Sequence, residues 1–307
     1  MVIEMEYDKN SFLAGVAAGR NMRSWPYIMK GGPVFMYEVD ITLNGNHTTE
    51  YSSIYAIAGN GDISIDWGDG SAPTRLTNPT AATARHMYRR ADGDRFIVTI
   101  IGELTFCRFP PDQGTSPRRP NITRVLTPFP KSMSARSDFN SVFTNQWNLI
   151  STPENLFQYC HNVETLANAF YWCFAYKIPA RLLERQFLLQ NMAWCFAGAG
   201  QNLDRIDIPE DLFDDCALIT DFSRCWYEID YTSSTAPAMP HPPKYIPGDL
   251  FDPCVNVETF DSCFSNSKGV QGNVPELWIS HPNADGNSCF MGCERATNYA
   301  DIPAAWK

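Results

Sequence analysis

No run of about 18 apolar residues, the length a helix needs to cross a bilayer, occurs anywhere in the 307 residues. Charge is also scarce: 19% of residues are charged, and 24 Lys and Arg stand against 34 Asp and Glu for a formal net charge of -10. Binding to a phosphate backbone needs clustered cations, and the one basic run, "SPRRP" at Ser116 to Pro120, is too short to supply them. Nucleic acid and membrane insertion are therefore excluded as expectations. The amino end, "MVIEMEYDKNSFLAGVAAGRNMRSWP", lacks a basic start, and its apolar stretch from Phe12 to Ala18 is broken by glycine. It reads as neither signal peptide nor span, which predicts a protein made in the cytosol. No GxxxxGK[ST], GxSxG or HExxH occurs.

What is present is a folding composition, with 44% hydrophobic and 13% aromatic residues, punctuated by 22 prolines and 19 glycines. Such punctuation implies many turns and few long helices. Three textures follow one another. Residues 1–32 form a short amphipathic segment read as an attachment arm, with Phe12, Leu13, Val16 and Trp25 as its docking residues. Residues 33–107 alternate as strands do, in "VFMYEVDITL", "SSIYAIAG", "DISIDWGDG" and "RFIVTIIGEL", and predict an antiparallel β-sandwich. Residues 108–137 are rich in proline and read as a linker.

From residue 138 to 307 a repeat takes over. "TPENLFQYC", "IPEDLFDDC" and "IPGDLFDPC" spell one phrase three times. Aligned on Pro153, Pro179, Pro209, Pro247, Pro275 and Pro303, the fourth residue after the proline is Phe157, Leu183, Phe213, Phe251 and Ile279. The seventh is Cys160, Gln186, Cys216 and Cys254; the seventeenth is Phe170, Phe196, Trp226 and Phe264, preceded by Cys195, Cys225 and Cys263 in the last three. Proline suits the first turn of a short helix, and these steps keep Phe and Cys on one side. One unit cannot bury that side alone: a buried Phe or Leu contributes about 2 kcal/mol, whereas ordering costs about 1.5 kcal/mol per residue. The units must stack, and in a reducing compartment the recurring thiols are small core residues. The expected fold is mixed and multi-domain: an arm, an antiparallel sandwich, then an irregular α/β solenoid.

Two stretches resemble known families. The repeat text from Phe143 to Trp306 resembles the BspA-type leucine-rich repeat, F-x-x-C-x-x-L-x-x-I-P, of bacterial surface and phage proteins, with a less regular period. Asp66, Trp67, Gly68, Asp69, Gly70, His86 and Tyr88, with "RFIVTIIGEL", resemble the PKD-type immunoglobulin-like domain. The opening "YDKNSFLAGVAAGRNMRSWP" is similar to the amino termini of phage structural proteins. Together these resemblances imply a non-enzymatic virion protein, of the tail-fibre, head-fibre or decoration kind. Its partners would be capsid, neck, tail or baseplate proteins, copies of itself in a symmetric oligomer (a trimer is usual for fibres), and a host surface glycan or protein. A bacterial BspA-type adhesin and a polysaccharide depolymerase are the alternatives.

Candidate chemistry is sparse. Asp62, Asp66 and Asp69 offer hard oxygen ligands for calcium, although a glycine-rich turn with Asp side chains bonding the backbone accounts for them better. Cys289 and Cys293 with His281, or Cys160 beside His161, approach zinc spacing but lie inside the repeat pattern, so no metal or other cofactor is expected. Glu154, Glu210 and Glu276 recur after the repeat proline and read as first-turn acids rather than a hydrolytic pair. The aromatic surplus is the remaining signal: Tyr171, Trp172, Trp194, Trp226, Tyr227 and Trp278 adjoin core positions and offer a platform for sugar rings or a protein partner, centred on "FYWCFAY". The same rings also serve as core.

Overall fold

β-Branched and aromatic residues dominate the first strands, and they pair where the alternation places them. The computed structural model describes residues 34–41, 53–88, 95–109, 122–201, 203, 206–229 and 244–307. The expected arm, 1–32, lies outside the described residues. Strands β1 (Val34–Asp40), β4 (Asp62–Asp66), β5 (Thr74–Thr77), β7 (Arg95–Gly102) and β9 (Ile122–Val125) form a five-stranded antiparallel sheet in the order β5-β4-β7-β1-β9. Strands β2 (Ser53–Ala56) and β6 (Arg85–Tyr88) pair with each other, as do β3 (Ala58–Asn60) and β8 (Phe106–Arg108). Tyr88 of β6 stacks on Phe96 of β7 at 4.3 Å, which closes the smaller pair over the sheet.

The proline-rich stretch 108–137 departs from the linker expectation. Its second half supplies β9, whose buried Ile122 and Val125 flank exposed Arg124, and then Phe129, which stacks on Phe35 at 5.4 Å. A four-residue strand inside a proline-dense passage leaves too little alternation to be read.

Beyond β9 the chain winds in coils. Asp138, Thr165, Asn191, Asp221, Thr259 and Asp285 are joined in sequence by parallel bridges, one rung per coil. Each rung side chain accepts a hydrogen bond from the amide two residues on: Asn140 to Asp138 Oδ1 (2.8 Å), Ala167 to Thr165 Oγ1 (3.2 Å), Ala193 to Asn191 Oδ1 (2.9 Å), Ser223 to Asp221 Oδ1 (2.8 Å), Asp261 to Thr259 Oγ1 (3.0 Å) and Asn287 to Asp285 Oδ1 (3.0 Å). That is the local bond for which Asp, Asn and Thr are chosen in turns. Three residues after each rung the backbone is left-handed, at Ser141, Asn168, Trp194, Arg224, Ser262 and Ser288. Seven after, it is left-handed again, at Asn145, Trp172, Gly198, Glu228, Asn266 and Gly292. Left-handed backbone costs about 1–2 kcal/mol for an L-residue. Here it aims alternate amides along the stack, as in Phe170 N–H to Cys195 O (2.9 Å) and Trp172 N–H to Ala197 O (2.8 Å), so each coil satisfies the next.

The segments after Pro153, Pro179, Pro209 and Pro247 are not the short helices expected. They close with bonds from residue i+3 to i, such as Leu156 to Pro153 (3.2 Å), Cys160 to Phe157 (2.8 Å) and Cys216 to Phe213 (2.9 Å). Overlapping turns of this kind bury residues at steps of three and four just as a helix does, which is why the spacing suggested one. The α-helix among the described residues of the repeat is Leu277–Ser280. It buries Leu277 and leaves Ile279, expected in the core, exposed.

Inside, the seventeenth-residue positions Phe170, Phe196, Trp226 and Phe264 join other rings in a continuous aromatic column. Phe109, Phe143, Phe170, Phe196, Trp226, Phe264 and Phe290 stack in order, at centroid separations of 5.4, 5.4, 5.5, 5.6, 5.3 and 5.7 Å. Phe109 also meets Tyr37 of β1 at 5.1 Å, so sheet and coils share one core. Their hydrogen bonding is continuous too: Leu126 donates to Met36 O (2.8 Å), Val125 to Ser151 O (3.0 Å), Ile150 to Thr123 O (2.8 Å) and Lys177 to Ile150 O (3.0 Å). At the far end Ser288 and Phe290 donate to Ala305 O (2.9 Å) and Trp306 O (2.8 Å), and Trp306 covers Phe260.

Candidate binding surface

The cysteines lie in this core. All ten are free and buried, with Phe157, Phe213 and Phe251 beside Cys160, Cys216 and Cys254, and Cys195, Cys225, Cys263 and Cys289 on successive coils next to the aromatic column. Burial pushes the thiols of Cys160 and Cys254 up to about 12 and several others further. A thiol held protonated is a poor nucleophile and a poor metal ligand. His281 is bonded through Nε2 to Cys254 O (3.1 Å), and His161 is exposed. Glu154, Glu210 and Glu276 are all exposed, one residue after their prolines.

The acidic turn of the sheet region resolves into local bonds. Asp62 Oδ1 accepts from Thr77 Oγ1 (2.6 Å), Asp66 Oδ1 from the Gly68 amide (3.0 Å) and Asp69 Oδ1 from the Ser71 amide (3.0 Å), while Asp69 Oδ2 meets His86 Nε2 at 2.7 Å. Burial raises the Asp69 carboxyl, but the bonds from Ser71 and His86 together outweigh it and leave it below the ordinary carboxylate range. His86 stacks on Trp67 at 4.9 Å, and Tyr88 Oη donates to Trp67 O (2.8 Å). Asp62, Asp66 and Asp69, the calcium option, each take a local partner in this turn. Among the described residues no group of three His, Cys, Asp or Glu is placed to hold a metal ion.

The aromatic candidates divide. Trp226 is a correction: it is 1% exposed, in the column between Phe196 and Phe264, and presents nothing to a ligand. Trp278 is half-buried at the far end, edge-on to Phe290 and Trp306 at 6.4 Å each. The other four come together on one face. Tyr171 stacks on Trp172 at 5.3 Å and 21°, and meets Trp194 edge-on at 5.7 Å and 85°; Trp194 in turn lies 5.5 Å from Tyr227. Two rings outside the expected set extend the path, Phe174 at 5.8 Å from Trp172 and Trp147 at 5.3 Å from Phe174. All six are half-buried and belong to four successive coils. Trp147 and Phe174 each stand nine residues after a rung, a spacing visible only once the rung is known.

Polar groups edge this stripe. The Arg224 guanidinium lies 5.0 Å from the Trp194 ring and 3.7 Å from Asp261 Oδ2. Asn266 Nδ2 donates to Tyr227 Oη (3.0 Å). Burial, followed by the Glu228 carboxylate, raises both Tyr171 and Tyr227, and Glu228 accepts a hydrogen bond from Tyr227. Beneath the stripe, a Cβ on Gly198 would stand 2.6 Å from Trp172 Cδ1, so glycine there makes room for the indole. No protein-family model matches the chain, and no curated protein or solved structure matches it either.

Proposed function

We propose that this chain is a non-enzymatic structural and adhesion protein of a phage particle. In this reading residues 1–32 dock on capsid, neck, tail or baseplate proteins, the PKD-like region spaces the rest outward, and the coils form a BspA-type, leucine-rich-repeat-like solenoid displayed on the virion surface. The displayed form is a homo-oligomer, a trimer as in fibres. The observation that carries the adhesive part is the stripe of Trp147, Phe174, Trp172, Tyr171, Trp194 and Tyr227. Half-exposed aromatic rings running over four coils are more than stacking requires, since the buried column already fills the interior. The resemblance of the opening segment and of the repeat supplies the particle.

Mass spectrometry of purified particles tests the location, and the protein is expected among the virion components. Deleting residues 1–32 is expected to abolish incorporation while the remainder stays folded. Particles carrying Trp172→Ala with Trp194→Ala are expected to assemble and to lose adsorption to host cells. Normal adsorption by such particles refutes the adhesive role, and release of reducing sugar from host capsule refutes the non-enzymatic one.

A further inference from the structure

The stripe is neither flat nor purely apolar. Tyr171 forms a corner: Trp172 runs nearly parallel to it, at 21°, and Trp194 nearly perpendicular, at 85°. The two indoles therefore present their faces in different directions. Beside them stand the phenols of Tyr171 and Tyr227, and both phenols sense the carboxylate of Glu228. Asn266 donates to the Tyr227 oxygen and thereby turns the Tyr227 proton toward Glu228. One bond from Tyr227 leaves most of the four or so acceptor sites of a carboxylate unused. The stripe therefore offers negative ring faces, which attract polarised C–H groups, beside an acceptor for hydroxyls and phenol oxygens that donate or accept.

Charge narrows the class. Arg224, the cation packed on the stripe, is held by Asp261 at 3.7 Å and covers part of Trp194. An anionic ligand would face Glu228 with that cation already engaged, in a chain of net charge -10. Resting on the recognition role given above, we infer that the stripe at Trp172 and Trp194 binds an uncharged saccharide with vicinal hydroxyls. Its pyranose faces lie on the two indoles, and its hydroxyl pair bonds to Glu228.

Titration calorimetry with soluble neutral gluco-, galacto- and manno-oligosaccharides, each beside its uronic-acid or phosphorylated counterpart, tests this. At least one neutral series is expected to bind, with the acidic counterpart at least tenfold weaker. Glu228→Gln, which keeps shape and removes the charge-assisted bond, is expected to weaken binding on the order of tenfold. Tyr227→Phe should weaken it less, and both should melt close to wild type. Equal or tighter binding of the acidic sugars, or unchanged affinity in Glu228→Gln, overturns the inference. So does failure of every neutral series when the Trp172→Ala, Trp194→Ala particles have lost adsorption; in that case the stripe still recognises the host, but through another chemistry. Retained adsorption by those particles instead removes the recognition role itself.

Discussion

Gly198→Ala couples the stack to its surface. The left-handed backbone at Gly198 (φ 70°) costs alanine about 1–2 kcal/mol. That penalty alone is tolerable, because Asn145, Glu228 and Asn266 occupy the same place in other coils with side chains. What differs at Gly198 is the indole above it. A Cβ would lie 2.6 Å from Trp172 Cδ1 and 3.2 Å from its Nε1, so the ring must leave its well. An off-rotamer side chain costs about 0.5–1.5 kcal/mol, and loosened contacts with Tyr171 and Phe174 add to it. The expected destabilisation is about 2–3 kcal/mol, a fall in Tm of roughly 4–8 °C, with a change in tryptophan fluorescence. In a Trp172→Ala background the steric part vanishes, and Gly198→Ala should cost only the backbone share. The two substitutions should therefore couple by about 1 kcal/mol in urea unfolding, above the 0.3–0.5 kcal/mol by which independent sites depart from additivity. Additive effects would refute the claim that this glycine exists to seat the indole.

Phe196→Ala opens the aromatic column between Phe170 and Trp226 and should cost about 3–5 kcal/mol in denaturant unfolding; a loss under 1 kcal/mol would mean that the column is not continuous packing. Asp221→Ala removes the rung bonds to Ser223 N and Oγ and should cost about 1 kcal/mol, read as a shifted urea midpoint. The buried thiols predict alkaline instability. The unfolded chain gives up thiol protons near pH 8.5, whereas burial holds Cys160 and Cys254 protonated up to about 12 in the fold. Above pH 8.5 the unfolded state binds fewer protons, so stability, complete below that pH, falls toward pH 12 by up to about 1.4 kcal/mol per pH unit for each such thiol. Urea midpoints at pH 8 and pH 10 measure this, and a flat profile contradicts it. Iodoacetamide at pH 8 should label these cysteines only after unfolding.

The parts of the fold legible in the sequence were those set by burial. Phe157, Phe213, Phe251 and the thiols recur because each coil presents the same inward places, and strand alternation marked β1, β4 and β7. Backbone conformation was less visible. Trp172, Trp194, Arg224 and Glu228 sit at left-handed positions that their residue types do not advertise, so the turns after each rung carry no signal in the sequence. Spacing also cannot separate an aromatic inside the column from one beside it: Trp226 and Tyr227 are neighbours in sequence, yet one is core and the other is stripe. The polar edge was hidden for a different reason. Glu228 and Asn266 lie 38 residues apart in the chain (266 − 228) and meet around Tyr227 only because one coil rests on the next.

The hydrogen bonds from Leu126 to Met36, from Val125 to Ser151 and from Lys177 to Ile150 tie the coils to the sheet in one ladder. The first coil rests on the edge of the sheet, and every later coil rests on its predecessor. Cutting the chain just after β9 would take Phe35 away from Phe129 and Phe109 away from Phe143. The coils are therefore not a portable module, and transplanting the stripe to another scaffold requires carrying the sheet with it.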